Sequence, residues 1–147
     1  MLIARSFLVF TFGLFAISAQ ALLFREFSSS FESNDIAVGI FFGSWFFWIA
    51  FSAWLIYKWH KLAEMLSKNV EFLLLAYIPA FILQLLLIIQ ARKLAGIESY
   101  ALFPLKYMFT LSVMVNAPVS CITGFLFPSA CRWLQEDRKI PVSGVYV

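Results

Sequence analysis

Gln20–Asp35 reads QALLFREFSSSFESND and places a charged pair, Arg25 and Glu26, directly behind an apolar run. Three readings compete for it: the water-facing end of a membrane helix, the cut edge of a signal peptide, or part of a site. The choice decides whether the chain lies in a bilayer, and the residues on both sides supply the answer.

Of the 147 residues, 63% are hydrophobic and 13% are charged, with eighteen Phe and five Trp. Soluble domains are roughly 45–50% apolar and about 25% charged. A soluble core of this size could not bury so much aromatic surface, so the composition specifies a membrane protein. The net charge of +3 is small. Basic residues are therefore read loop by loop as topology signals, not as a nucleic-acid surface.

Four apolar segments are long enough to cross about 30 Å of hydrocarbon, which takes about 20 helical residues. They run over 6–24, 36–57, 72–90 and 107–126. Each must be helical, because only a helix satisfies every backbone group of a single segment in lipid. None alternates as a barrel strand does. The expected fold is an all-α membrane protein, with four transmembrane helices in an up-and-down bundle over 1–134 and a cytoplasmic tail over 135–147. Arg5, Lys58, Lys61, Lys68, Arg132, Arg138 and Lys139 lie at the N-terminus, second loop and tail. The other two loops hold Arg25, Arg92, Lys93 and Lys106. That asymmetry places both termini in the cytoplasm, in a multi-pass protein of the cell membrane (the inner membrane in a bacterium).

The signal-peptide reading has Arg5 as an n-region and SAQA, Ser18–Ala21, as a small-x-small cleavage pattern. Against it, the apolar run is longer than the 7–15 residues of an h-region. The membrane-helix reading is preferred, with Arg25 and Glu26 closing the first span.

Catalytic motifs are missing: there is no Gly-rich phosphate loop, no Cys-x-x-Cys and one histidine, His60. Neither a metal nor a cofactor is expected. Cys121 and Cys131 are ten residues apart, about 15 Å along a helix, which is too far for a disulfide. KWHKLAEMLSK, Lys58–Lys68, places Trp59, Leu62, Met65 and Leu66 at helical spacing with lysines mostly on other faces. It reads as a short helix on an anionic membrane surface.

The polar and irregular positions of the spans are the site candidates. Arg25 and Glu26 read as an interfacial pair, since Arg25 can snorkel and Glu26 can face water. Asn34 and Asp35 are placed to cap the second helix, starting at Ile36. Gln20, Gln84, Gln90 and Asn116 need partners, and interhelical hydrogen bonds of this kind contribute about 0.6–2 kcal/mol. GIFFG, Gly39–Gly43, together with Ser44 marks a packing face. Pro79, Pro118 and Pro128 would kink their helices. NAPVSCITGFLFP, Asn116–Pro128, is the least regular span and suggests the bent or broken helix that transporters place around a binding site.

Three stretches, SAQALLFREFSSSFESNDIAVGIFFGSWFFWIAFSAWL, TGFLFPSACR and VSGVYV, resemble the membrane part of spermidine synthase-like proteins (polyamine aminopropyltransferase homologues). The resemblance implies a first span ending in Arg-Glu and argues against cleavage after Ala21. It implies a fifth, glycine-rich span after VSGVYV, then a soluble Rossmann-like domain for decarboxylated S-adenosylmethionine and a polyamine. No residue here corresponds to that catalytic domain, so no aminopropyltransferase residue carries over and no aminopropyl transfer is expected of this chain alone. It would be a fragment of a longer protein or a reduced membrane subunit. Three roles are expected: an anchor or membrane pathway for such an enzyme, a transporter half that encloses a polar route around Asn116, or a structural membrane subunit of a larger complex. The expected partners are the lipid bilayer, further copies of the chain and partner membrane helices; nucleic acid is not among them.

Overall fold

The computed structural model describes residues 2–31, 35–98 and 101–135, almost all of them helical. Five α-helices follow in order: α1 Leu2–Phe31, α2 Asp35–Lys58, α3 His60–Lys68, α4 Val70–Leu94 and α5 Leu105–Gln135. Within them, Val9–Phe31, Asp35–Lys58, Val70–Leu94 and Leu105–Trp133 are long and apolar enough to span a membrane. The all-α fold expected from composition is observed, with four helices of membrane-spanning length and apolarity. Asn34 and the tail beyond Gln135 lie outside the described residues, and Gln135 itself belongs to α5.

The spans are longer than the sequence suggested. Arg25 and Glu26 do not close α1, which continues to Phe31. The reason is packing: Phe27 and Phe31 are fully buried, with rings stacked 4.3 Å apart. Phe27 also meets Phe41 of α2, and Phe31 meets Phe103 ahead of α5. Apolar burial at positions i and i+4 carries the helix past its charged pair.

α5 is the hub and touches every other helix. It stands between α2 and α4, whose described Cα atoms nowhere approach within 8 Å. Phe12 and Phe15 of α1 pack edge-on against Tyr77 of α4, and Ser30 meets Arg92. Those pairs advance together, so α1 and α4 run parallel. α4 and α5 are antiparallel, because Arg92 meets Ala101 while Gln84 meets Asn116 and Val119.

Among the described glycines, Gly124 alone lies tight against a neighbouring helix. A Cβ there would lie 2.7 Å from the Ile49 carbonyl oxygen and 2.8 Å from the Ser52 Cβ. Only a residue without a side chain lets α5 sit this near the α2 backbone. Gly39 and Gly43 have open space where a side chain would go, so GIFFG faces outward and is not the packing face expected of it.

Gly96 ends α4 with φ +65. The Gly96 N–H donates to the Lys93 carbonyl and the Ile97 N–H to the Arg92 carbonyl, the double bond of a Schellman cap. Asn69 joins α3 to α4 by donating from Nδ2 to the Met65 carbonyl, 2.8 Å away. α3 turns Ala63 and Ser67 inward, with Leu62 and Leu66 half-buried and Met65 exposed. Trp59 precedes the helix and is exposed, so the expected stripe is shorter by one member.

Candidate functional site

Three polar side chains of the spans, Gln84, Asn116 and Ser44, meet beside Pro118. Proline has no N–H and crowds the carbonyl four residues earlier, which loosens the neighbouring helical bonds. Here the N–H of the next residue, Val119, donates to Gln84 Oε1 on α4 at 3.0 Å. Gln84 Nε2 in turn donates to Asn116 Oδ1 at 3.0 Å. Asn116 Nδ2 then donates to Ser44 Oγ at 2.7 Å and to the Phe41 carbonyl at 3.2 Å. Ser44 Oγ closes the network by donating to that same carbonyl. Three helices are tied by one network around a proline, and a neighbouring helix supplies what the proline disturbed.

Burial sets the value of these bonds. Asn116 is 0% exposed, Gln84 1% and Ser44 5%. In a medium of low dielectric each bond is strong and each missing partner costly. Asn116 uses both its donors and its acceptor, and Gln84 uses its acceptor and one donor. The second Gln84 N–H is the one donor not engaged, and at these exposures no face of the network is open to a passing solute. One turn further along α2, Trp48 Nε1 donates to the Val113 carbonyl of α5 at 2.6 Å, a second α2–α5 tie.

α5 runs without a break through Pro118 and Pro128, as α4 does through Pro79. Of the bent or broken helix expected around Asn116, the break does not form, and Gln84 of α4 takes up the backbone N–H of Val119 beside the proline.

The remaining candidates do not join this network. Arg25 and Glu26 pair with each other at 2.9 Å, with Arg25 75% and Glu26 32% exposed at the side chain. Asp35 stands in the first turn of α2, where a carboxylate favours the positive end of the helix dipole. Gln20 is half-buried and lines an apolar cleft between α1, α2 and α5. Gln90 and His60 are exposed. Both cysteines are free thiols. No group of three or more metal-ligating side chains exists among the described residues.

Arg92 is the residue that sequence reading passed over, counting it only as a loop charge. Its Nε donates to the Ser30 carbonyl at 3.0 Å. Its Nη1 donates to the carbonyls of Glu98 and Ala101 at 3.1 and 3.2 Å, and the guanidinium lies 5.7 Å from the Phe103 ring centre. One planar cation thus fastens the end of α1, the α4–α5 connection and an aromatic of the core. Its position ahead of the Ala95–Gly96 helix stop was the available signal.

Comparison of the chain with known protein families, characterised proteins and solved structures returns no match. Gln84, Asn116 and Ser44 hold three helices together, and the outward surface is apolar. Phe46, Phe47, Phe51 and Trp54 form an exposed aromatic face on α2.

Proposed function

We propose that the chain is a structural membrane subunit, an up-and-down four-helix bundle with both termini in the cytoplasm, whose outer faces hold partner membrane helices. The observation that carries this reading is the closed hydrogen-bond network of Gln84, Asn116 and Ser44. A transport route around Asn116 needs polar groups free to receive a solute, and these groups are engaged with one another. Their chemistry suits a rigid scaffold. The aromatic face of α2 supports the second half of the reading, since aromatic side chains give large contact areas against neighbouring helices.

The parallel course of α1 and α4, and the antiparallel course of α4 and α5, support the up-and-down order. Positive charge at the N-terminus, second loop and tail supports cytoplasmic termini. The resemblance to spermidine synthase-like proteins would add an enzyme as one such partner. A neighbouring reading frame encoding a Gly-rich βαβ unit would favour that form of the proposal.

The test is a photo-crosslinking residue at Phe47, introduced in the chain's own membranes. The expected result is an adduct of one reproducible mass with a second membrane protein. A monodisperse lone species in mild detergent, with lipid adducts only, would sink the subunit reading.

A further inference from the structure

A cleft of about 410 Å³ opens between α1, α2 and α5. Ala16, Gln20 and Phe24 line it from α1, Trp45 from α2 and Thr123 from α5. The α1 residues span eight positions, about 12 Å along the helix axis. The cleft is therefore elongated along a membrane span, and its walls are almost wholly apolar. Left empty, such walls forfeit their dispersion contacts.

We propose that this cleft holds one phospholipid of the bilayer, its acyl chain between the helices and its phosphate at Arg25. The inference rests on the membrane reading above but not on any protein partner. Shape selects the chain: a helix is 10–12 Å across with its side chains and does not enter a groove of this volume, whereas an unbranched hydrocarbon does. Charge selects the headgroup. Arg25 follows Phe24 at the end of the cleft and stands in the last two turns of a span that ends at Phe31, from which its long side chain snorkels to the phosphates. Its side chain is 75% exposed although it pairs with Glu26. A guanidinium has five N–H donors and matches phosphate in a forked geometry.

Native mass spectrometry of the full chain in mild detergent, with added phosphatidylglycerol and phosphatidylcholine, tests this. The wild type is expected to retain one phospholipid, with phosphatidylglycerol preferred. Ala21→Phe, at an exposed position of the cleft wall, is expected to cut retention to less than about a tenth of wild type. Ala50→Phe, on the exposed side of α2, should leave retention unchanged. Arg25→Gln should lower the preference for phosphatidylglycerol about tenfold while phosphatidylcholine still binds. Ala16→Phe repeats the block from the other end of the cleft, and far-UV circular dichroism checks that each variant is helical. Wild-type retention in both cleft variants would overturn the proposal. So would a dimer mass that disappears in Ala21→Phe, since a second copy would then fill the cleft. Equal headgroup preference in wild type and Arg25→Gln would overturn the assignment of Arg25. Release of the chain from membranes by alkaline carbonate without detergent would instead remove the membrane reading itself.

Discussion

The sequence offers two polar groupings beside apolar runs, and the folded chain treats them in opposite ways. Asn116 and Gln84 lie at the middle of the bundle with every neighbour a protein atom. Arg25 and Glu26 sit near the end of α1 with one another and the surroundings. The first grouping binds three helices, so its removal should loosen the fold. The second binds only adjacent residues of one helix, and a solvent-exposed pair of that kind contributes little. Burial within the bundle, more than residue type, decides which polar side chains become structure.

The largest effect is expected where α5 touches α2. Gly124→Leu drives a side chain into the Ile49 carbonyl and Ser52, separating the two helices that Asn116 joins. A loss of about 3 kcal/mol is expected in reversible unfolding in mild detergent. A loss below about 1 kcal/mol would show that the seam can slide and that the network does not depend on it.

Asn116→Leu comes next, at about 2 kcal/mol, because Gln84 Nε2 is left without its acceptor in a buried site. Gln84→Leu with Asn116→Leu should cost less than the two single changes added together. Strict additivity would mean that the two amides act independently.

How much of this was legible in the residues follows from what each reading depended on. Hydropathy depends on local composition, so the four spans and the short amphipathic α3 could be read directly. Asn116, Gln84 and Ser44 could be named one by one as groups needing partners, but their meeting depends on which helices touch. Nothing in the loops said that α5 would stand between α2 and α4. The end of α1 was misplaced because a charge was taken as a stop, whereas burial of Phe27 and Phe31 outweighs it. GIFFG misled for the related reason that a small-residue pattern marks a close approach only when another helix lies over it. Gly124, with no partner glycine, is where that approach occurs. Arg92 was hidden because its acceptors are backbone carbonyls, which carry no sequence signal.

Two smaller predictions concern the exposed side of the comparison. Glu26→Gln should change stability by less than about 0.5 kcal/mol in the same unfolding assay. A change as large as that of Asn116→Leu would remove the distinction drawn between the two groupings.

The smallest effect belongs to Glu64 and Lys68 on α3, 2.9 Å apart and exposed. The hydrogen bond from Lys68, with its charge, holds the Glu64 carboxyl below the ordinary 4.5. A depressed carboxylate contributes its stabilisation fully above that ordinary value and loses it as pH falls through the lower folded one. An NMR titration of Glu64 in micelles should give a midpoint below 4.5, rising in Lys68→Met. An unchanged midpoint in that variant would remove the pair from the account.

The central claim is that the polar middle of the bundle is a sealed tie and not a route for solutes. Ser44→Cys, with Cys121 and Cys131 replaced by alanine, puts a thiol of nearly the same size into the network. In sealed vesicles, a membrane-impermeant thiol reagent should leave it unlabelled from either side while labelling Lys61→Cys on α3. Labelling of Ser44→Cys at a rate near that of Lys61→Cys would mean that water reaches Asn116, and would contradict the account.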